Sequence, residues 1–255
     1  MNSSQAAHNQ SIVDQFTQQA VPFSRMAAQS EQLLLEMSGV TNADTVLDVA
    51  CGPGIVACAF ATRVKHVTGI DLTPAMIEQA QQRQRKLGLE NVTWQTGDVL
   101  PLPFSDAAFS FVITRYSFHH FLDPEAVLRE MMRVCQPGGT VMVVDATPLP
   151  DKAEAYNHVE KLKDPSHVRA LTEAELLRMA AAVGLRQLRT QRYAFELALE
   201  DSMQSFFPNP GDDERIRQIY RQDLERDALG MNVHLRDGQI HFAYPVLVLA
   251  GRKAA

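Results

Sequence analysis

Short apolar runs alternate with longer amphipathic stretches between residues 45 and 145. Val46, Leu47 and Val49 form the first run, and the pattern predicts a buried strand over 45–49. Cys51-Gly52-Pro53-Gly54 breaks it, and the Ala-rich stretch 55–63 reads as a helix. A strand over 67–70 ends at Asp71. Thr73-Pro74 then opens a helix that runs to about Leu87 and stops at Gly88. A strand over 92–95 leads into Thr96-Gly97-Asp98-Val99 and the Pro-rich connection 101–106. The strand 109–114 is followed by a loop over 115–121 rich in aromatics and histidine. Asp123 caps a helix to about Cys135, Pro137-Gly138-Gly139 reads as a turn, and 140–145 is the fifth strand. Alternation of this kind predicts a doubly wound α/β sheet, mainly parallel, with helices on both faces. Right-handed crossovers bring the strand C-terminal ends to one edge, where such sheets bind ligands.

The flanks are less regular. Residues 1–10 read as frayed, 11–19 as a short helix interrupted by Pro22, and 24–38 as a second helix ended by Gly39. This arm over 1–40 is a candidate lid on the edge. Beyond the fifth strand, 151–163 reads as a helix and 164–167 as a turn. Residues 172–183 form an amphipathic helix with Thr172 and Glu175 as a capping box. A strand over 189–199, a loop over 202–211 and a charged, solvated helix over 212–230 follow. The run 240–249 is a last strand, expected to pair antiparallel, and Pro245 marks its start as doubtful or its place as an edge.

Composition narrows the function. The chain has 255 residues and a net charge of -6, which disfavours a dominant nucleic-acid surface. No apolar run approaches the ~18 residues of a membrane span, and the polar N-terminus shows no signal peptide. The three cysteines (Cys51, Cys58, Cys135) form no CxxC or zinc pattern, so no metal site is expected and a reducing cytoplasm fits. Oligomeric state is not legible.

The glycine turn between a strand and a helix puts backbone N–H groups beside a ligand. Gly52-x-Gly54-x-x-Ala57 also satisfies the dinucleotide pattern. Asp48, four residues before Gly52, argues against that reading, because a carboxylate there repels a pyrophosphate and suits a cationic ligand. Asp71 can accept both hydroxyls of a ribose, and Asp98 after Gly97 can accept an adenine amino group. A common oxidoreductase form also needs Tyr-x-x-x-Lys, and none of the five tyrosines has lysine at that spacing.

D-V-A-C-G-P-G, G-I-D, G-D-V, the H-H-F loop and Q-P-G-G, taken in order, resemble the class I S-adenosylmethionine-dependent methyltransferases, and among them the ubiquinone/menaquinone-biosynthesis type. The resemblance is strong over about 40–150 and weaker over 172–185 and the last strand. It implies a seven-stranded Rossmann-like methyltransferase domain over 41–255 that uses S-adenosyl-L-methionine. It places Asp48 near the cationic amino-acid end of that molecule. Gly52 and Gly54 lie where backbone approaches closely, Asp71 on the ribose, Leu72 and Met76 against adenine, Asp98 and Val99 on its edge, and Arg115 beside the methionine part. Ala50 stands where glycine is commoner and is expected to be harmless at negative φ.

Methyl transfer needs an in-line nucleophile and, for a protonated acceptor, a base. His119 and His120 are the base candidates, set against a packing role. The resemblance places acceptor-pocket segments at about 146–171 and 200–238, where His167, His158 and Arg169 could grip an acidic or phenolic substrate. Phe118, Phe121, Phe206, Phe207 and Tyr244 could wall the pocket. The short insertion after the fifth strand and Thr114-Arg115-Tyr116-Ser117 after the fourth favour a small-molecule acceptor over nucleic acid or protein. A chain that binds the cofactor without transferring methyl is the alternative, ahead of an NAD(P)-dependent oxidoreductase.

Overall fold

In the computed structural model, which describes residues 3–24 and 30–254, the strand–helix alternation closes into one sheet. Strands β1 (Thr45–Val49), β2 (His66–Asp71), β3 (Val92–Thr96), β4 (Phe109–Arg115) and β5 (Cys135–Ala146) pair in parallel. β6 (Arg186–Ala198) and β8 (Gln239–Arg252) complete the order β3-β2-β1-β4-β5-β8-β6. β8 runs antiparallel to both β5 and β6, the orientation expected. A short β7 (His234–Arg236) hairpins onto β8, so the sheet has eight strands where seven were expected.

Each core strand is buried on both faces, which is why it reads as a near-continuous apolar run. On one face Val46, Phe111 and Val144 pack with α2 (Glu31–Ser38), α3 (Ile55–Ala61), α6 (Ala153–Lys163) and α9 (Asp212–Asp223). On the other, Leu47, Val112 and Val143 pack with α5 (Pro124–Val134) and α7 (Glu173–Ala182). Helix α4 (Pro74–Leu87) starts just after Asp71. The Thr172–Glu175 capping box is formed.

Several expectations are corrected. The N-terminal segment is a single helix, α1 (Ser3–Ser24), which includes Pro22 and positions 3–10 of the stretch expected to fray, its first two residues lying outside the described residues. The pair Gln10 Nε2 to Asp14 Oδ1 (2.8 Å) supports its exposed side, and Gln5 Nε2 to Asn9 Oδ1 (2.8 Å) its part-buried one. The second helix is described only from Glu31; residues 25–29 of the expected span lie outside the described residues. Pro137-Gly138-Gly139 is an irregularity inside β5 rather than a turn, because Phe109 pairs with Cys135 and Phe111 already with Thr140. Pro245 lies in an interior strand. Its missing N–H leaves the β8 ladder intact around it, and its carbonyl accepts from Thr147 N at 2.7 Å. Residues 199–203, expected partly as loop, form α8 (Leu199–Met203). α9 ends at Asp223 and is not merely solvated: Ile216 and Tyr220 are fully buried.

Candidate active site

The C-terminal ends of β1, β2 and β4 and the loop after β3 surround a cavity of about 140 Å³, roofed by Gln5, His8, Asn9, Ile12 and Phe16 of α1. The turn after β1 supplies its floor. Ala50 has φ +54° and Gly52 φ +52°. A side-chain carbon on Gly52 would meet nothing within 4 Å, so bare backbone faces the cavity there. The negative φ expected of Ala50 is not found; the residue is in the left-handed region instead. Glycine is favoured there, and Ala50→Gly is expected to raise stability by about 1 kcal/mol, read from urea unfolding. A loss of stability would show that the turn tolerates its strain by other means.

Asp71 ties two of these strand ends together. Its Oδ2 accepts from Gly52 N (2.8 Å) and its Oδ1 from Thr73 N (2.9 Å). Burial pushes its pKa up against those backbone donors. Asp48 is 1% exposed, and its Oδ2 has no hydrogen-bond partner among the described residues. Burial raises its pKa to about 7, against the opposing charge of Arg115. An orphaned, ionisable oxygen in a cavity wall fits a ligand that brings positive charge, as the ammonium or sulfonium of S-adenosylmethionine does. Arg115 donates to Glu31 Oε1 (2.9 Å) and Ser30 Oγ (3.1 Å), so α2 holds it in place. Asp98 accepts from Leu100 N (3.1 Å) and from Asn9 Nδ2 of the roof (2.7 Å).

Ala50, Leu72, Met76 and Val99 also line this cavity, whereas Gly54 and Gly97 do not. Gly54 is bare because Trp94 and Ala80 press on it, with contacts of 2.6 and 2.9 Å to any added side-chain carbon. An added carbon on Gly97 would meet Ile70 at 3.4 Å. Asp71→Ala is expected to weaken cofactor binding about 10- to 100-fold, the scale of hydrogen bonds to a charged group. Unchanged affinity in a titration with S-adenosylhomocysteine would remove Asp71 from the site.

A second, smaller cavity of about 80 Å³ adjoins the first. Phe16, Tyr116 and His120 line both. The rest of its wall includes His119, Tyr156, Glu160, Asp164, His167, Phe195, Phe206 and Tyr244. Tyr116 has φ +55°, an outlier for a bulky residue. Its N–H donates to Val144 O (2.8 Å), its ring stacks on Phe195 (6.1 Å), and its hydroxyl meets that of Tyr193 (2.7 Å). Backbone strain thus sits at the junction of the two cavities.

The three histidines differ. His119 Nδ1 lies 2.7 Å from Asp145 Oδ1, and its backbone N–H donates to Asp145 Oδ2 (3.2 Å). Burial disfavours the charged ring, but the Asp145 carboxylate outweighs it and raises the His119 pKa above the ordinary value. His120 is lowered to about 4 by burial and by the neighbouring His119; its Nδ1 lies 3.2 Å from Ser166 Oγ. His167 is lowered to about 2 by burial and the adjacent histidines, and its Nε2 bonds to Asn157 Oδ1 (2.8 Å). All three line the second cavity, and of them only His119 has a carboxylate on a ring nitrogen. Asp145, at the end of β5, is the residue sequence reasoning missed; its position at a strand end on the functional edge was the available signal.

Other candidates fall away. Arg169 pairs with Glu175 (3.0 Å) on the surface, and His158 lies 3.2 Å from exposed Arg215. Phe118 is in the core and Phe207 lines an outer cleft, whereas Phe121 lines the first cavity and Phe206 and Tyr244 the second. Among the described residues no three His, Cys, Asp or Glu side chains converge as metal ligands, and no helix is long and apolar enough to cross a membrane.

Residues 46–139 match the family described as a methyltransferase domain. The uncharacterized methyltransferase YcgJ of Bacillus subtilis is 33% identical over 215 residues, 82% of this chain and 84% of that protein. Its crystal structure superposes with a TM-score of 0.81 at 27% identity, covering 89% of this chain and 98% of that one. A putative methyltransferase from Bacillus halodurans gives the same score and identity, over 89% of this chain and all of its own. The ubiquinone/menaquinone C-methyltransferase UbiE of Roseobacter denitrificans is 33% identical over 117 residues, spanning 44% of this chain and 47% of that enzyme. With the sheet order, the turn after β1 and these relatives agreeing, the chain belongs to the class I S-adenosylmethionine-dependent methyltransferases, alongside YcgJ.

Proposed function

We propose that the methyl acceptor is a small molecule held in the second cavity, and that Asp48, Ala50, Gly52, Asp71, Leu72, Met76, Asp98, Val99 and Arg115 form the cofactor cavity around S-adenosylmethionine. The observation that carries this reading is the shared wall of Phe16, Tyr116 and His120: the cavity suited to the cofactor opens onto one other chamber at the same sheet edge. S-adenosylmethionine supplies an electrophilic methyl group. The chain's own residues orient the nucleophile, exclude water and accept a proton. His119 is the base: Nδ1–H donates to Asp145, which leaves Nε2 for the acceptor. His120 and His167, both held neutral, are polar walls rather than bases.

In this reading α1 is the lid over a domain that spans 41–255. His8 Nε2 donates to the His120 carbonyl (2.7 Å) and Asn9 to Asp98, so the helix is fastened to both cavities. The segments 146–171 and 200–238 contribute Tyr156, Glu160, Asp164, His167 and Phe206 to the acceptor wall. Net charge of -6 speaks against a nucleic-acid acceptor, and three buried, unpaired cysteines suit the reducing cytoplasm.

The test is a titration with S-adenosylhomocysteine, followed by acceptor-dependent turnover in the wild type and in Ala146→Leu. Ala146 lines only the second cavity. The variant is expected to keep its cofactor affinity and to raise the acceptor KM about tenfold or more by filling the chamber. Unaltered acceptor kinetics would place the acceptor elsewhere.

A further inference from the structure

The second chamber has an electrostatic signature that the choice of a small-molecule acceptor does not by itself explain. Besides three tyrosines, five titratable side chains face it: His119, His120, Glu160, Asp164 and His167. Behind its wall Lys163, 0% exposed, donates to Glu160 Oε1 (2.9 Å) and to the Tyr244 hydroxyl, with the rings of Phe206 and Phe242 each 4.7 Å away. That pair cancels. Asp145 faces the ring and backbone N–H of His119 and does not line the chamber. His120 and His167 are neutral.

Asp164 remains. It is 5% exposed; Oδ1 accepts from Ser166 N (2.8 Å) and Ser166 Oγ (2.6 Å), and Oδ2 from Gln19 Nε2 of α1 (3.1 Å). All three donors are neutral, and among the described residues it has no ion pair. Burial opposes its charge, but the carboxylate accepts from three donors and donates to none, the arrangement that favours the ionised form. It is therefore an ionised carboxylate without a counter-ion, in a chamber whose other walls are the rings of Phe16, Tyr116, Tyr156, Phe195, Phe206 and Tyr244. A buried anion among aromatic faces favours an organic cation and repels an organic anion. Arg169, the candidate for gripping an acid, is paired with Glu175 on the surface.

We propose that the acceptor is a primary or secondary amine on a compact, partly apolar body, which enters as the ammonium with Asp164 as its counter-ion. This rests on the reading of the second chamber as the acceptor site. The ammonium gives one proton to Nε2 of neutral His119. The freed nitrogen lone pair attacks the methyl carbon, the C–S bond breaks with its electron pair left on sulfur, and S-adenosylhomocysteine and the N-methylated ammonium result. His119 then returns its proton to solvent. Positive charge moves from sulfur toward nitrogen, and so toward Asp164, which stabilises it as it develops. A phenol or acid would need to form or carry an anion beside the same carboxylate.

The probe is calorimetry on the full chain saturated with S-adenosylhomocysteine, using 2-phenylethylammonium, 2-phenylethanol and phenylacetate. The ammonium is expected to bind about tenfold or more tighter than the alcohol, and the carboxylate not measurably. Asp164→Asn is expected to remove about tenfold or more of the ammonium affinity and to leave the alcohol within about twofold, while Asp164→Glu keeps the preference for the cation. Unchanged S-adenosylhomocysteine affinity shows that both variants are folded. Equal or tighter binding of the alcohol or carboxylate, or no binding of the ammonium to a protein that does bind S-adenosylhomocysteine, overturns the amine assignment and leaves the methyltransferase intact. Failure of the wild type to bind S-adenosylhomocysteine overturns the cofactor cavity, and the amine assignment with it.

Discussion

Asp48→Asn is expected to weaken S-adenosylhomocysteine binding about 100-fold, the scale of 2–3 kcal/mol for a charged hydrogen-bond partner removed from a buried site, and to stabilise the ligand-free protein at high pH. Both effects have one cause. Asp48 is buried, its Oδ2 has no partner among the described residues, and burial raises its pKa from 3.8 to about 7. Between those two values the folded chain holds a proton that the unfolded chain has released, so stability falls as pH rises through the window. Asparagine carries no such proton. Relative to wild type, the variant gains on the order of 2–3 kcal/mol between pH 5 and pH 8, read from urea unfolding without ligand. Wild-type affinity for the cationic ligand is expected to fall as pH drops below about 7, where Asp48 takes up its proton. The Asp48→Asn variant is expected to lose that dependence. A variant that binds normally, or whose stability relative to wild type does not move with pH, would show that Asp48 is a packing residue.

The proposed cofactor cavity is legible in the sequence because its parts are local. Asp48, Gly52, Asp71 and Asp98 each sit in or beside a strand end, and parallel pairing of β1, β2 and β3 brings those ends together automatically. The positive φ of Ala50 and Tyr116 is not legible, because it follows from what the surrounding sheet imposes and not from the residue type. Helix α1 escapes the sequence pattern for a related reason. It has few apolar positions, and its inner face is held by contacts to residues as distant as His120, Asp164 and Phe207. The proposed acceptor chamber draws on α1, the ends of β4 and β5, α6, β6 and β8. No local pattern announces such a set. His119 is a visible candidate because it follows a strand, but its distinction from His120 rests on Asp145, brought beside it by the β4–β5 register that pairs Arg115 with Val144.

That register carries the second large effect. His119→Gln is expected to lower turnover about 10²- to 10³-fold, the scale of a lost general base, with S-adenosylhomocysteine affinity unchanged. Asp145→Asn is the sharper test, because it leaves the imidazole in place and removes the charge behind it. In the wild type, burial disfavours protonated His119 and Asp145 outweighs it, so the ring keeps its proton to a higher pH than an ordinary histidine. The base acts in its neutral form, so the rate rises with pH through that raised pKa. Without the Asp145 charge, only the weaker pull of Glu160 and Asp164 opposes burial, so the pKa falls and the acid limb of the pH–rate profile moves to lower pH while the plateau drops. Stability moves in the opposite sense. A raised histidine pKa contributes stability that is complete below 6.5 and is lost as pH rises through the folded value, so Asp145→Asn costs most stability under acidic conditions. A profile whose acid limb stays in place, with activity and unfolding free energy lost in proportion, would reduce the His119–Asp145 pair to a structural contact.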